Sequence, residues 1–327
     1  MPMKIKIFIG LALSSLLVWL SFRGININEV YNGLHQIKVA FVIASLAVML
    51  LMQTLRALRW GLILQPLDPL IDRFTIFSIT SVGFLAIIAI PARLGELARP
   101  YLITKKSRIP MSSALGTILV ERVLDILTVL VIAAIVFFST PIPPWLFRAG
   151  TSLFAVTAAI FLLLIMAIFR KEKTALLLAP VLARIPSGIT KKIIGIIDYF
   201  IDGLSVMKNR SLMGVVVILS LIIWLADVLA IYLLFLAFSL NLPLTAAFVL
   251  MIILIAGIAI PVAPGFIGNW HYFCILGLGL FNVAKTEALT FAVIYHALSI
   301  GIIIVLGVVF LPFYSFSLDD LKNREKP

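Results

Sequence analysis

The stretch that decides the fold runs from residue 91 to 125. It reads Pro-Ala-Arg-Leu-Gly-Glu-Leu-Ala-Arg-Pro at 91–100, then a basic loop, then a long apolar run. Only 12% of the chain is charged, and apolar segments flank this stretch on both sides. Ionisable groups inside a bilayer are costly unless they are paired or face water, so the stretch indicates a functional site in a membrane protein. Its key members are three arginines and three carboxylates: Arg93, Glu96, Arg99, Glu121, Arg122 and Asp125.

Composition supports the membrane class. Of the 327 residues, 63% are hydrophobic, which excludes an ordinary soluble fold. Apolar runs of about 17–25 residues recur along the chain and predict a polytopic, all-α membrane protein. The net charge of +12 does not indicate nucleic-acid binding, because the Lys and Arg residues concentrate in short loops between apolar runs, as the positive-inside rule describes. The single Cys274 excludes an internal disulfide.

We predict six full transmembrane helices, with the first one retained rather than cleaved as a signal peptide. Both termini are predicted to lie on the cytoplasmic side of the cytoplasmic membrane. That topology leaves only four of the 26 Lys and Arg residues outside, namely Arg23, Lys38, Arg148 and Lys285. The full spans are expected near residues 5–22, 39–55, 112–138, 151–169, 212–238 and 289–313.

Two shorter apolar runs are predicted to form re-entrant hairpins that enter from opposite sides. The run 74–90 ends at Pro91 before a basic loop, which a full crossing would place outside, so we expect it to turn and return by about residue 104. The run 244–260 ends in the same way at Pro261. The tetrapeptide Ile-Ala-Ile-Pro closes both runs, and such interrupted segments in two halves indicate an inverted repeat of the transporter type. Chance repetition in an Ile- and Ala-rich chain is the alternative.

The domain organisation is simple. We expect a single integral membrane domain over residues 1–317 and a charged cytoplasmic tail over 318–327. Within the domain, residues 170–210 form the most polar segment, and part of it alternates apolar and charged residues at helical spacing, as an interfacial helix does.

The charge cluster allows two interpretations. Arg93, Glu96 and Arg99 would stack on one helical turn, and Glu121 and Asp125 share a helix face while the neighbouring arginine points about 100° away. The cluster is then either a set of buried ion pairs that locks the hairpin to the long helix, or a phosphate site whose arginines are held by carboxylates. Guanidinium groups suit phosphate because their forked donors match its oxygens.

Two further arginines, Arg56 and Arg59, join the candidate substrate-binding residues. With Trp60 they also fit an anchor at the level of the lipid headgroups. The second hairpin supplies four more candidates, whose glycines permit a tight turn and whose polar groups could line a cavity wall, although His271 also fits a hydrogen-bonded core histidine. These four are Gly265, Gly268, Asn269 and His271.

Motifs of catalysis and metal binding are missing from the sequence. It contains no phosphate-cradling glycine loop, no Gly-x-Ser-x-Gly, no His-Glu-x-x-His and no cysteine–histidine metal spacing. We therefore predict no cofactor, no metal and no enzymatic activity of the chain itself.

At these residues the chain resembles the lysylphosphatidylglycerol synthase transmembrane-region family, also called the flippase-like domain family. The matching segments lie at 56–60, 91–100, 120–125 and 261–268. The resemblance implies an integral membrane protein that moves or handles anionic, isoprenoid or glycosylated lipids. Relatives that make aminoacyl-phosphatidylglycerol carry a soluble aminoacyl-transferase domain, and we expect this chain to work without one. It departs from the usual family pattern at Phe266, Asn269 and His271, where Gly, Val and Glu are common.

The leading hypothesis is a flippase-like transporter that passes a phosphate-bearing lipid between leaflets, with the headgroup held by Arg93, Arg99 and Arg122. The alternative is a membrane-embedded lipid or glycosyl transferase, or an auxiliary subunit of one. A structural partner in an envelope complex is a third reading. The expected partners are membrane lipids, with a homo-oligomer or an envelope-lipid enzyme as further open options.

Overall fold

The computed structural model describes residues 3–25, 27–90, 95–139, 201–258 and 264–314, together with a few isolated positions between 148 and 199. Every regular element within these ranges is a helix, which confirms the all-α class. Three predictions lie largely or wholly outside the described residues: the span at 151–169, the polar segment at 170–210 and the tail at 318–327. Arg93 also lies outside them.

Ten α-helices are described. Among the residues described, three of them are long and apolar enough to cross a membrane, namely α3, α7 and α10 with its 3-10 extension to Phe313. In chain order the helices are α1 (Met3–Phe22), α2 (Ile27–His35), α3 (Val39–Leu64), α4 (Arg73–Ala89), α5 (Ala98–Lys106), α6 (Met111–Ser139), α7 (Arg210–Ala237), α8 (Leu244–Ile258), α9 (Asn269–Gly279) and α10 (Lys285–Phe310).

Helix α3 continues well past its predicted end near residue 55, to Leu64. It packs antiparallel to α7: the Lys38 N–H donates to the Ala237 carbonyl at 2.9 Å, and the Ser45 hydroxyl donates to the Ala230 carbonyl at 2.9 Å. The extra turns of α3 carry Arg56 and Arg59, so both arginines belong to the helix and not to a loop beyond it.

Helices α4 and α5 form an antiparallel pair. A Cβ atom on Gly95 would lie 2.1 Å from the Ala86 carbonyl oxygen, and one on Gly83 would lie 2.1 Å from Cγ of Arg99. The chain therefore comes back against α4 soon after leaving it, and only glycine permits this close approach. At the other end, Asp72 caps α4 by accepting the Thr75 N–H at 2.8 Å.

Helices α8 and α9 form a second antiparallel pair. The Asn269 side-chain amide donates to the Gly257 carbonyl at 3.1 Å, and a Cβ atom on Gly277 would lie 2.9 Å from Leu250. Gly268, just before α9, has a φ of 92° and lies against the Ser14 backbone, where a Cβ atom would be 2.7 Å from the carbonyl oxygen. Its predicted role in a tight turn is thus a structural requirement.

The two helix pairs meet at their turns. A Cβ atom on Gly265, in the second turn, would lie 3.7 Å from Ile88 near the end of α4. The ring of His296 on α10 hydrogen-bonds the Gly265 carbonyl at 2.8 Å. Helix α10 also packs along α4, where Gly307 lies against Leu85. The space between these helices forms the candidate site.

Candidate functional site

The centre of the charge cluster is Glu121 on α6, whose side chain is fully buried. Arg99 binds it through two hydrogen bonds, at 2.8 Å to Oε2 and 3.2 Å to Oε1. Arg59 of α3 donates to the same Oε1 at 3.1 Å. Arg59 and Arg99 are each only 1% exposed. We call these three residues, Arg59, Arg99 and Glu121, the buried lock.

Neighbouring side chains hold the buried lock in place. The Arg99 guanidinium stacks over the Trp60 ring at 4.3 Å, and the Trp60 indole N–H donates to the Thr117 hydroxyl at 3.2 Å. Arg59 also binds Asp125 at 2.6 Å and Ser220 of α7 at 2.9 Å. The lock therefore joins α3, α5, α6 and α7. Removing one partner of such a buried pair costs about 3–5 kcal/mol, because a charge is left uncompensated.

This arrangement corrects the anchor interpretation of Arg59 and Trp60. Both residues are buried, at 1% and 0% exposure, and do not sit at a lipid headgroup surface. Of the predicted stack of Arg93, Glu96 and Arg99, Glu96 lies in a 3-10 turn at residues 95–97 that leads directly into α5, and Arg99 lies in the first turn of α5. Glu96 turns to a cavity while Arg99 turns to Glu121, and the third member lies outside the described residues.

Arg122, unlike Arg59 and Arg99, has a partly exposed side chain. Its side chain is 39% exposed, although its guanidinium also reaches Glu121 Oε1 at 3.0 Å and Asp125 Oδ2 at 3.5 Å. The sequence predicts that Arg122 points about 100° away from those two carboxylates. Its long side chain folds back over one turn of α6 instead, which leaves one side of the guanidinium available.

A cavity of about 230 Å³ lies beside Arg122, enclosed by α3, α4, α6, α7, α8, α9 and α10. Most of its lining residues are apolar, and one part of the wall is charged. The charged members of that wall are Arg56, Glu96, Arg122, Asp125 and Asp227, and the aromatic members are Phe84, Trp224, Phe266, Trp270 and Tyr295.

Arg56 and Asp227 carry opposite charges and line the same cavity, without an ion pair within 4.0 Å between them. Arg56 donates a long hydrogen bond of 3.4 Å to Gln53 and lies over the Phe84 ring at 5.4 Å. Asp227, on α7, makes no hydrogen bond and no ion pair within 4.0 Å to any residue that the structure describes. We call Arg56, Arg122 and Asp227 the cavity face.

The candidates from the second hairpin are not lining residues of the cavity. Gly265 and Gly268 shape the turn, Asn269 joins α9 to α8, and His271 is only 8% exposed and packs against the His296 ring at 4.9 Å. Their neighbours Phe266 and Trp270 line the cavity in their place.

Three residues of the site escaped the sequence analysis. Ser220 accepts a hydrogen bond from Arg59 at 2.9 Å, and the Trp224 indole N–H donates to Asp125 at 3.2 Å. Asp227 could have been identified from the sequence, since a lone carboxylate in an apolar span is a functional candidate by default. Ser220 and Trp224 could not have been identified in this way, because their role depends on α7 packing against α3 and α6.

Comparison with known proteins places the chain among membrane proteins. It is 26% identical to a UPF0104 membrane protein of Methanocaldococcus jannaschii over 98% of this chain and 100% of the relative. A second UPF0104 membrane protein of that organism is 27% identical, over 72% of this chain and 95% of the relative. The protein named Glycosyltransferase AglD of Haloferax volcanii is 25% identical over 93% of this chain, which covers 54% of that relative's length.

The chain also matches a family model over most of its length. Residues 7–307 match the family described as the lysylphosphatidylglycerol synthase TM region. The matched range contains the buried lock, the cavity face and both antiparallel helix pairs. The chain therefore belongs to the lysylphosphatidylglycerol synthase TM region family of integral membrane proteins.

Proposed function

We propose that this protein binds the headgroup of an anionic, phosphate-bearing lipid, of which isoprenoid or glycosylated lipids are examples, and moves it across the cytoplasmic membrane. The observation that carries the proposal is a cavity between two antiparallel helix pairs, with Arg56 and Arg122 on its wall. Guanidinium groups bind phosphate through paired charge-assisted hydrogen bonds. The mostly apolar remainder of the lining suits the part of a lipid next to its headgroup.

The arginines have two different roles in this proposal, headgroup binding and positioning. The Arg122 side chain is 39% exposed, whereas those of Arg59 and Arg99 are 1% and 2% exposed. A phosphate can reach the first without displacing Glu121, but it cannot reach the other two. We therefore assign headgroup binding to Arg56 and Arg122, and a positioning role to the buried lock. Arg93 stays a predicted ligand outside the described residues.

The size of the cavity supports binding of a headgroup alone. Pockets that enclose a whole drug-sized ligand measure about 300–1,000 Å³, and this cavity measures about 230 Å³. Acyl or prenyl tails would remain in the surrounding lipid while the headgroup occupies the cavity.

For the membrane topology we propose six full spans, two re-entrant hairpins that enter from opposite sides, and both termini inside. The hairpins correspond to the pairs α4–α5 and α8–α9, which are short and interrupted by proline, as in transporters with inverted repeats. Residues 1–317 would form one membrane domain, with 170–210 at the cytoplasmic surface and 318–327 as the tail. Transport would then proceed by rocking one half of the protein against the other around the cavity.

A liposome assay tests the proposal. Purified full-length protein should accelerate the exchange of labelled phosphatidylglycerol between leaflets without changing its covalent structure. Arg122→Gln should reduce the rate at least tenfold, since a hydrogen bond to a charged group contributes about 1.5–3 kcal/mol. Arg108→Gln, which removes an exposed arginine outside the cavity, serves as the control. Exchange at the rate of empty liposomes with phosphatidylglycerol and the other anionic lipids would contradict the proposal.

A second candidate function is lipid or glycosyl transfer, either by the chain itself or as a subunit beside an envelope-lipid enzyme or in a homo-oligomer. It is favoured by the similarity to the protein named Glycosyltransferase AglD. The same vesicles distinguish the two functions, because a transferase would convert the lipid to a new product when a donor is supplied.

A further inference from the structure

Asp227 differs from the other carboxylates of the site. Glu121 and Asp125 are each held by two or more direct contacts with arginine or tryptophan donors. Asp227 lines the same cavity without a hydrogen bond or close ion pair among the described residues. It lies on α7, ten residues before Ala237, or about 15 Å along the helix. A carboxylate so far from either end of a span, with no direct partner among the described residues, needs a functional explanation.

The charged and titratable residues around Asp227 come from four parts of the fold. Helix α3 contributes Arg56, α6 contributes Arg122 and Asp125, and α10 contributes Tyr295, with Glu96 near the start of α5. Helix α8, which also packs against α7, has no titratable residue. Arg56 is the cation that attracts an ionised Asp227, and Glu96 and Asp125 are the other carboxylates on the cavity wall.

We propose that Asp227 is a proton-binding site and that one proton binds together with the anionic headgroup. This inference rests on the proposed function. When Asp227 is ionised, it attracts Arg56 and repels a phosphate. A proton taken from water converts the carboxylate to a neutral carboxyl, which removes both effects and leaves Arg56 able to pair with a phosphate oxygen. Loss of that proton on the opposite side returns the negative charge and expels the headgroup.

The charges of the described cluster agree with this coupling. Four arginines, Arg56, Arg59, Arg99 and Arg122, face four carboxylates, Glu96, Glu121, Asp125 and Asp227. A phosphodiester headgroup adds a negative charge to a site of low polarity, which is costly unless it is offset. One proton on Asp227 removes one negative charge from the site, and among the described carboxylates Asp227 can accept it without breaking an ion pair between described residues.

The test measures the affinity of a short-chain fluorescent phosphatidylglycerol for the full-length protein in zwitterionic nanodiscs, from about pH 5 to about pH 8. The headgroup stays anionic throughout, so a pH dependence must come from the protein. If one proton binds together with each lipid, the affinity should fall by up to tenfold per pH unit in the range where Asp227 is mostly ionised. Asp227→Asn should bind tightly with no pH dependence, and the control Asp68→Asn, outside the cavity, should behave as the wild type.

A second measurement does not depend on any variant. Proton uptake on lipid addition, followed with a pH dye in weak buffer at the upper end of this range, should approach one proton per bound lipid. Lipid binding with no pH dependence and no proton uptake would overturn the proton site and leave the proposed function standing. Absence of lipid binding at every pH would overturn both. A folded Asp227→Asn protein that fails to bind at any pH would also overturn the inference, since it would require the ionised form.

Discussion

The buried lock and the cavity face use the same residue types for different ends. In the lock, Arg99 makes two hydrogen bonds to a fully buried Glu121 and stacks on Trp60. On the cavity face, Arg56 has one long hydrogen bond and Asp227 has none among the described residues. Arg99 and Arg56 thus carry the same formal charge but differ in how many partners they already have. Burial and pairing, more than residue type, decide which charges remain available to a ligand.

The largest expected effect concerns the lock itself. Glu121→Gln keeps the shape of the side chain but leaves the buried Arg59 and Arg99 without a counter-charge. The free energy of unfolding should fall by about 3–5 kcal/mol, measured by denaturant or thermal unfolding in detergent. Glu287→Gln, at an exposed position in the first turn of α10, should cost less than about 1 kcal/mol. Equal losses in the two variants would remove the distinction between lock and surface charge.

Next in size is the contact that brings Arg99 to the lock. Gly95→Ala would place a Cβ atom 2.1 Å from the Ala86 carbonyl oxygen, so the backbone of the α4–α5 pair must shift. Such overpacking costs about 1–3 kcal/mol. Gly214→Ala, where no atom lies within 4 Å of the added Cβ, is the matched control and should be neutral or slightly stabilising. A fully stable Gly95→Ala protein would show that the close return of the chain is not required.

Asp125 contacts both regions, through Arg59 of the buried lock and Arg122 of the cavity face, and it also accepts a hydrogen bond from Trp224. Trp224→Phe removes the indole N–H that lies 3.2 Å from Asp125 while keeping an aromatic ring in the cavity wall. Because Arg59 still binds Asp125, the loss of stability should be only about 1 kcal/mol. Trp19→Phe, at a residue that is 53% exposed, is the control. A loss comparable to that of Glu121→Gln would place Trp224 within the lock.

The smallest effect lies outside the cluster, at the N-cap of α4. Hydrogen bonds from the Thr75 side chain and backbone N–H lower the pKa of Asp72. A lowered folded-state pKa means that this stabilisation is present above the unfolded pKa and is lost as the pH falls through the folded pKa. Asp72→Ala should cost about 1 kcal/mol at neutral pH and less in acid.

Asp72→Asn is the matched control for that prediction. It keeps an acceptor at the cap but has no carboxyl to titrate, so its stability should lack this part of the pH dependence. Unfolding midpoints measured at several pH values should separate the two variants. An identical acid loss in the wild type and both variants would show that Asp72 does not contribute.

Local features of the sequence were enough to predict the helices and part of the charge cluster. The apolar runs and the interrupting prolines predicted the helices, and the spacing of Glu121 and Asp125 predicted that both share a face, where both indeed bind Arg59. These features are local, because helix period and chain breaks are set by residues close in sequence.

The division of the arginines between the buried lock and the cavity face could not be predicted from local features of the sequence. Arg59 meets Glu121 across 62 positions of sequence, and this contact depends on α3 continuing to Leu64 and packing beside α6. Arg122 was expected to point away from the carboxylates, but its flexible side chain folds back to them. Asp227 needed α7 to be placed at the cavity before its lack of a partner could be seen.

Two variants measured side by side distinguish a stabilising role of the buried lock from a binding role of the cavity face. Arg99→Gln and Arg122→Gln remove the same charge from the same cluster, and each purified protein should be assayed for unfolding in detergent and for phosphatidylglycerol affinity in nanodiscs. We expect Arg99→Gln to lose about 3–5 kcal/mol of stability, whereas Arg122→Gln should stay close to wild-type stability and lose at least tenfold in lipid affinity. A stable Arg99→Gln protein with impaired binding, beside an Arg122→Gln protein that binds normally, would contradict this expectation.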